Sequence, residues 1–436
     1  MLYQLSIIIY KSVKNELFNI LATVCVVACL FNSCSSLKQG NGAYASQNYR
    51  NLFVENGHSP NSIDKKIQQA YQKLFHGDSI NQRIYFKDGS NTNGNMAYIA
   101  DVLHKDIRSE GMSYGMMIAV QMNKKVEFDA LWNYAITHMY ISKRGHPAEG
   151  YFAWSLKLDG TPNAEGPAPD GEEYFVTALY FASGRWGNGK GLYNYRKWAD
   201  DILSNMRHHP LTTGSTRFGK QTTGSMVNED RKMILFVPNN NGRAFTDPSY
   251  HLPAFYEVWA RWGPKADRSF WLAAADTSRN FFNKAAHPLT GLAADYADFD
   301  GKPVTTPFNQ DSQNFAYDSW RTAMNWSVDW NWWHKDPRQQ ELSNRIQSFF
   351  ASQGMNSYGN IYTPEGKLIS ASHAAGLIAA NATASLASTH ATAKDFTEVM
   401  WNLPVPTNLG DRYYGGLLYM MSLLHCSGQF KIYIPQ

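Results

Sequence analysis

Apolar residues recur along this chain at the three- and four-residue spacing of amphipathic helices, from about residue 60 to the C-terminus. Start signals and turn residues divide the pattern into twelve segments, and no linker-like composition separates them into domains. We therefore predict one continuous helical domain. The predicted helices cover residues 62–76, 109–123, 126–140, 170–184, 190–206, 247–262, 264–282, 317–333, 336–352, 371–387, 391–402 and 412–426.

The even-numbered helices are more apolar and richer in Gly and Ala than their odd-numbered partners. Short turns join several pairs, so that neighbours run antiparallel and the even helices all point the same way. An inner ring of six helices within an outer ring of six explains both features. The predicted fold class is therefore all-α, an (α/α)6 barrel.

Acidic, histidine and tyrosine side chains occur where the even helices begin. Because parallel helices present their N-termini at one end, we expect these side chains to gather at one end of the barrel. They are Glu110, Asp170, Asp247 with Tyr250, Asp318, His373, and Asp411 with Tyr413 and Tyr414.

Each of the acids also has a structural interpretation. Asp170, followed three residues later by a glutamate, has the pattern of a capping box, and Asp247 before a proline is typical of an N-cap. Asp318 could also be a cap. Glu110 follows a serine that is the better cap, so it could instead complement the helix dipole. The convergence of acids and tyrosines at one end favours a functional site.

Composition narrows the chemistry. Aromatic residues make up 14% of the chain, with 13 Trp, 25 Tyr and 23 Phe, which suits either a large core or a groove that stacks sugar rings. The formal net charge is +4 and no run of five basic residues occurs, which argues against nucleic acid as a partner. No His and Cys cluster has metal-ligand spacing, so we expect neither metal nor cofactor.

The N-terminus has the pattern of an export signal, in which lysines precede a short apolar run, small residues and Cys34. Cys34 with two following serines resembles a lipoprotein cleavage site; an ordinary secretory signal and an anchored helix are the alternatives. We predict a signal peptide over 1–33, a tether over 34–48 and a catalytic domain over 49–436. The expected location is the periplasm-facing or outer surface of a Gram-negative bacterium. After cleavage only Cys34 and Cys426 remain, so no disulfide framework follows.

Three segments of the sequence carry a resemblance to a known family. The segments "DIRSEGMSYGMMIAVQM" and "YDSWRTAMNWSVDW", with "DPSYHLPAFYEVWARWG" between them, resemble those of glycoside hydrolase family 8. The resemblance runs from about residue 50 to the C-terminus. It implies an (α/α)6 barrel that hydrolyses β-1,4-linked polymers such as cellulose, xylan or chitosan with inversion.

Carried over by position, the resemblance implies that Glu110 is the general acid and Asp318 the general base. It places Asp170 where the family holds the sugar on the donor side, and Tyr250 where a tyrosine helps to hold the attacking water. Glu110 must then be kept protonated by burial or by a neighbouring carboxylate, for which Asp170 is the candidate. Cellulase-like members have Ala-Ser-Asp-Ala-Asp where this chain has "APDGE", which argues against a typical cellulase.

Within the family, the sequence is most similar to those of exo-oligoxylanases that release xylose from the reducing end. The resemblance implies a loop ahead of the next-to-last helix that closes the acceptor side, and here that loop is "ASLASTHATAKDF", with His390 as the expected blocking group. His390 could also be an ordinary solvated loop residue. Trp154 is the candidate stacking platform, or else a core aromatic.

Other functions remain open. An endo-acting xylanase, chitosanase or glucanase would keep Glu110 and Asp318 but present an open cleft. A non-catalytic sugar-binding lipoprotein would need neither the acid nor the base. Helical terpenoid cyclases need aspartate-rich metal motifs, which the sequence does not contain. The expected partner is a xylo-oligosaccharide, with membrane contact through Cys34 alone and a monomeric state.

Overall fold

Twelve long helices, α1 to α12, form the body of the protein in a computed structural model that describes residues 42–436. Helix α1 shows how the sequence sets their ends. Ser59 accepts the N–H of Ser62 with proline at the first helical position, and the helix stops at Gly77. The helices are α1 Pro60–His76, α2 Ser109–Gln121, α3 Lys125–Tyr134, α4 Pro169–Trp186, α5 Tyr195–His208, α6 Pro253–Trp262, α7 Arg268–Ala285, α8 Trp320–Trp333, α9 Arg338–Ser352, α10 Ala375–Ala384, α11 Ala393–Asn402 and α12 Tyr414–Cys426.

The even-numbered helices form a closed inner ring. Contacts run from α2 to α4, α6, α8, α10 and α12, and α12 returns to α2. Every residue of α8 and of α10 is buried, as expected of helices with neighbours on all sides. Each odd helix packs outside an even one: α1 on α12, α3 on α2, α5 on α4, α7 on α6, α9 on α8 and α11 on α10. The predicted (α/α)6 barrel is confirmed.

The outer helices have one buried face. In α1 the buried residues are Ile63, Ile67, Ala70, Tyr71, Leu74 and Phe75, at the spacing of a single helical stripe. The opposite face carries the charged and amide side chains. This difference between outer and inner helices follows from burial on one side or on all sides.

The helical pattern did not predict five short antiparallel ribbons between the helices. They are too short and too rich in polar residues and glycine to show clear alternation. Two of them border the N-terminal end of the inner ring. The strands are β1 Tyr85–Asn91 with β2 Gly94–Ile99, β3 Asp106–Arg108 with β4 Ser155–Lys157, β5 Thr212–Thr216 with β6 Gly219–Thr223, β7 Val227–Asn228 with β8 Met233–Ile234, and β9 Ile361–Tyr362 with β10 Leu368–Ser370.

Several helices start later than predicted, and two of these corrections concern acidic residues of the candidate site. The segment predicted as a helix over 247–262 begins with a separate 3₁₀ turn, Pro248–Tyr250, and α6 starts only at Pro253. Asp247 caps that turn by accepting the N–H of Ser249 (2.6 Å). The helix predicted over 317–333 starts at residue 320, so that Asp318 lies in the preceding turn.

The predicted signal peptide and Cys34 lie outside the described residues, as does the tether up to residue 41. The part of the predicted tether from residue 42 to 44 packs on the barrel, since Ala43 is buried and the ring of Tyr44 lies 4.9 Å from that of Trp333 between centroids, whereas residues 45–48 are exposed. Residues 42–436 form one compact unit, in which no helix is long and apolar enough to span a membrane. Within it Cys426 is a free thiol, and burial raises its pKa to about 12.

Candidate active site

Arg321, in the first turn of α8, joins three carboxylates at the N-terminal end of the inner ring. Its Nη1 donates to Oε2 of Glu110 (3.1 Å) and to Oδ2 of Asp170 (3.0 Å), and its Nη2 donates to Oδ1 of Asp318 (2.8 Å). The guanidinium is 4% exposed and also donates to the hydroxyls of Tyr114 and Ser249. Carboxylates from three inner helices or their leading turns therefore meet at one buried cation.

Glu110 lies in the first turn of α2, where the ribbon of β3 and β4 leads into the helix. Its Oε1 accepts from the hydroxyl of Tyr413 (3.0 Å), and its Oε2 faces Arg321. Burial raises the pKa of Glu110 to about 7; the charge of Arg321 opposes this effect, while Asp170 and Asp318 add to it. Both causes named from the sequence, burial and Asp170, act in this direction, and burial is the larger.

Asp170 reaches the same point from α4 because the two inner helices approach closely. A Cβ on Gly171 would lie 2.4 Å from Oγ of Ser109, so only glycine allows this contact. Asp170 makes no capping box, because its Oδ1 accepts the N–H of Gly171 and Glu173 instead accepts from Tyr256. Burial is the main cause of the raised pKa of Asp170.

Asp318 lies in the turn just before α8 and is more open to solvent, with its side chain 32% exposed. Asp318 does not cap α8, because the N-cap residue of that helix is Ser319. The side chain of Ser319 makes no capping hydrogen bond. The carboxylate accepts from Arg321 and faces the cleft. The capping interpretation therefore does not apply to Asp318.

Two cavities meet at Glu110 and Asp318. The first, of about 670 Å³, is lined by Asp170, Tyr250 and Trp154 on the side of the β5–β6 hairpin. The second, of about 760 Å³, extends towards α10 and α12 and shares Arg108, Glu110 and Asp318 with the first. Its other lining side chains include Tyr317, Trp320, Asn360, His373, Asp411, Tyr413 and Tyr414. Together they form a cleft with an acid at its middle.

Tyr250 and Trp154 both reach the first cavity. Tyr250 is buried beside Arg321, whose guanidinium carbon lies 5.6 Å from the ring centroid. Trp154 is 40% exposed, which excludes the interpretation as a core aromatic. An exposed indole in a cleft can stack on an apolar sugar face.

The structure does not bring His390 to this cleft. It follows the C-terminal end of α10, a helix of ten residues that is about 15 Å long, so it lies near the opposite end of the barrel. Its ring pairs with the hydroxyl of Thr392 (2.8 Å), and the residue lies outside the lining of both described cavities. The loop that borders the second cavity precedes α10 and contains His373. The blocking role expected of His390 is therefore corrected.

The sequence did not indicate a role for Arg321, although this residue lies in the segment "YDSWRTAMNWSVDW" that carries the family resemblance. It also did not indicate Tyr413 as a partner of Glu110, because a tyrosine at the start of α12 gives no sign of the residue that it contacts.

Within residues 42–436 no group of three or more His, Cys, Asp or Glu side chains could hold a metal ion. A proton donor near neutral pH and a separate, solvent-facing carboxylate are the groups that acid–base hydrolysis needs.

Comparisons with known proteins agree with this chemistry. The family model of "Glycosyl hydrolases family 8" matches residues 82–428. The reducing-end xylose-releasing exo-oligoxylanase Rex8A of Paenibacillus barcinonensis is 42% identical over 397 residues, covering 90% of this chain and 99% of that protein. The reducing end xylose-releasing exo-oligoxylanase of Halalkalibacterium halodurans is 41% identical, covering 92% of this chain and 98% of that protein.

A solved structure is also similar. It is the xylohexaose complex of a catalytic mutant of a xylanase from Teredinibacter turnerae, with a TM-score of 0.89 and 49% identity, and the match covers 90% of this chain and 100% of that one. The matched residues include Glu110, Asp170, Tyr250 and Asp318. The chain therefore belongs to glycoside hydrolase family 8 and is a glycosidase.

Proposed function

We propose that this protein hydrolyses β-1,4 bonds of xylo-oligosaccharides by inversion, with Glu110 as general acid and Asp318 as general base. The observation that carries the proposal is the meeting of two sugar-sized cavities at these two carboxyl groups, one of which has its pKa raised to about 7. Inverting hydrolysis needs one protonated acid and one carboxylate separated by space for a water.

In the proposed reaction Glu110 donates its proton to the glycosidic oxygen, and the bond from that oxygen to the anomeric carbon breaks. Water attacks the same carbon from the opposite face and loses a proton to Asp318. The ionised Glu110 is then stabilised by hydrogen bonds from Arg321 and Tyr413. Asp318 then returns its proton to solvent through its exposed side, and Glu110 takes up a proton from solvent, which restores the starting state.

The two cavities take opposite ends of the sugar chain in this proposal. The first cavity is the donor side, since it contains Asp170, which matches the family's donor-side aspartate, together with Tyr250 and Trp154. The second is the acceptor side, which receives the leaving sugar. Release of xylose from the reducing end, as the Paenibacillus and Halalkalibacterium relatives are named for, is the first candidate.

A second candidate is cleavage within longer xylan chains. It is favoured by the size of the acceptor cavity, about 760 Å³, and by the xylanase from Teredinibacter as a similar structure. In the first candidate the groups that hold the chain end come from the loop before α10, because that loop lines the acceptor cavity through His373. In the second candidate the same loop leaves the cavity open.

Parallel digestion of xylotetraose, xylotetraitol and polymeric xylan decides between them. We expect xylose and xylotriose from xylotetraose and little action on xylotetraitol, because an unfilled polar site rejects a reduced end. His373→Ala should reduce the difference in hydrolysis rate between xylotetraose and xylotetraitol. His390→Ala, at the opposite end of the barrel, should leave that difference unchanged. Equal rates on both tetramers, or early release of mixed internal fragments from xylan, would establish the second candidate.

The assigned roles have their own test. Glu110→Gln and Asp318→Asn should each lower kcat by roughly 10²- to 10⁴-fold while the protein stays folded, because an amide can neither donate the proton nor accept one. Proton NMR of the first products should show the α-anomer. An early β-anomer would refute inversion, and near-normal activity of either variant would refute the role of that residue.

A further inference from the structure

The general base proposed above has an unusual location, because Asp318 lies in a turn and not within a helix. The turn over 316–319 leads into α8, and the carboxylate points from it into the cleft. A base must be held within a fraction of an ångström of the attacking water to be effective. Something other than helical hydrogen bonds must therefore fix this turn.

Asp295 supplies that support from behind. Its Oδ1 accepts the backbone N–H of Ser319 (3.0 Å) and that of Ala316 (3.2 Å), which Ala316 also donates to Oγ of Ser319 (2.9 Å). One carboxylate oxygen thus contacts the turn on both sides of Asp318. From the other direction the hydroxyl of Tyr414 donates to the carbonyl of Tyr317 (2.7 Å). The turn is therefore held between a buried acid and an inner-helix tyrosine.

Asp295 is itself firmly placed. It is 4% exposed, and its own N–H donates to the carbonyl of Asn314 (2.9 Å). Two residues further along, Ala297 and Thr246 exchange both backbone hydrogen bonds at 2.9 Å. Asp295 lies outside the lining of the two cavities that form the cleft, so it does not reach the substrate.

We infer that Asp295 is a positioning residue for Asp318, which sets the direction of the base by holding the two N–H groups that flank it. The inference rests on the proposed function, since it assumes that Asp318 is the base. Burial, together with the charge of Asp318, raises the pKa of Asp295 to about 7. Asparagine is therefore a close mimic of the neutral acid, because its amide oxygen can accept the same two hydrogen bonds.

The test compares Asp295→Ala, Asp295→Asn and Asp295→Glu with wild type on xylotetraose. We expect kcat to fall by more than about 10-fold in the alanine variant with KM changed by less than about 2-fold, because misplacement of a base affects the reaction step more than binding. The asparagine variant should recover kcat to within about 3-fold of wild type. The glutamate variant, whose longer side chain pushes the turn outward, should stay impaired.

Ser312→Ala is the matched control. The Ser312 hydroxyl donates to the carbonyls of Val304 (2.7 Å) and Asn309 (2.8 Å) in the same part of the chain, away from the turn. It should lower the melting temperature without lowering kcat. An asparagine variant as impaired as the glutamate variant, or a control that loses kcat equally, would overturn the inference, and this holds even where the alanine variant does not fold.

Asp318→Asn, measured in parallel, separates the two proposals. If the Asp318→Asn variant stays active, the assignment of Asp318 as general base is wrong, and the proposed function falls with it. An inactive Asp318→Asn beside a fully active Asp295→Ala would leave the base in place and overturn the positioning role of Asp295 alone.

Discussion

Opposing influences act on the carboxyl of Glu110. Burial and the nearby Asp170 and Asp318 favour its protonated form, while Arg321 and Arg108 favour its charge. Burial prevails, so the group titrates near the pH at which an acid is most useful. In the proposed reaction, the same guanidinium that opposes protonation of Glu110 stabilises the carboxylate that remains after proton transfer.

The pKa of Glu110 predicts the alkaline limb of the pH profile. Because the acid must be protonated, kcat/KM on xylotetraose should fall as the pH rises through about 7. A profile that stays flat well above that value would contradict the role of Glu110 as acid.

Stability should follow the same titration. Folding raises the pKa of Glu110, so the stability linked to its proton is present below about 4.5 and is lost as the pH rises towards 7. Glu110→Gln removes this loss. The variant should therefore gain melting temperature relative to wild type between about pH 5 and pH 8.

At the scale of elements, close approach of the inner helices decides which side chains meet. Helices α2 and α12 come together at Gly111, where a Cβ would lie 2.5 Å from Cε2 of Tyr413 and 2.7 Å from its hydroxyl. One turn further along α2, a Cβ on Gly115 would instead lie 2.7 Å from Cγ1 of Ile99. The two glycines therefore offer a matched pair.

Gly111→Ala should displace Tyr413 from Glu110 and lower kcat by about 10-fold, whereas Gly115→Ala should only destabilise the fold by about 1–3 kcal/mol. Kinetics on the folded fraction and thermal unfolding of both variants provide the measurement. Equal loss of kcat in the two variants would show that packing alone, and not the hydrogen bond to Glu110, controls activity.

The element scale also shows what the pattern of residues could not predict. The twelve helices follow from apolar spacing, because each must bury a stripe or a whole surface. The start of α8 does not, since residues 317–319 have helix-compatible types and are held in a turn by a distant acid, Asp295. The ribbons do not follow from apolar spacing either, because their strands are too short and too rich in polar residues and glycine to show alternation.

At the scale of the whole molecule, a second buried ion cluster joins the barrel layers away from the cleft. Arg279 of α7 donates to Asp329 of α8 (2.8 Å) and to Glu257 of α6 (2.9 Å), and both acids are fully buried. Asp329 lies roughly two turns along α8 from Arg321. Charge is thus balanced separately at the catalytic end and within the body of the barrel.

Arg279→Ala should lower the free energy of unfolding by about 3–5 kcal/mol, because it leaves Asp329 buried without a cation. Glu257 keeps its ion pairs with Arg261 and Lys335 in this variant. Arg231→Ala breaks the exposed ion pair with Asp300, about half exposed on each side, and should cost less than about 1 kcal/mol. Urea unfolding measures both. A cost for Arg279→Ala as small as that of Arg231→Ala would show that the buried cluster adds little.

The sequence by itself determined the barrel class and the end at which acids and tyrosines gather, because apolar periodicity and helix parity place those residues before any contact is known. The choice of Glu110, Asp170 and Asp318 among these acids came from the resemblance to glycoside hydrolase family 8. Only the tertiary structure decided that Arg321 joins these acids, that Tyr413 meets Glu110, and that His373 and not His390 lines the second cavity. The physical reason is that these contacts depend on the distance and the relative rotation of the inner helices. Both are fixed by packing between residues that are far apart in the sequence.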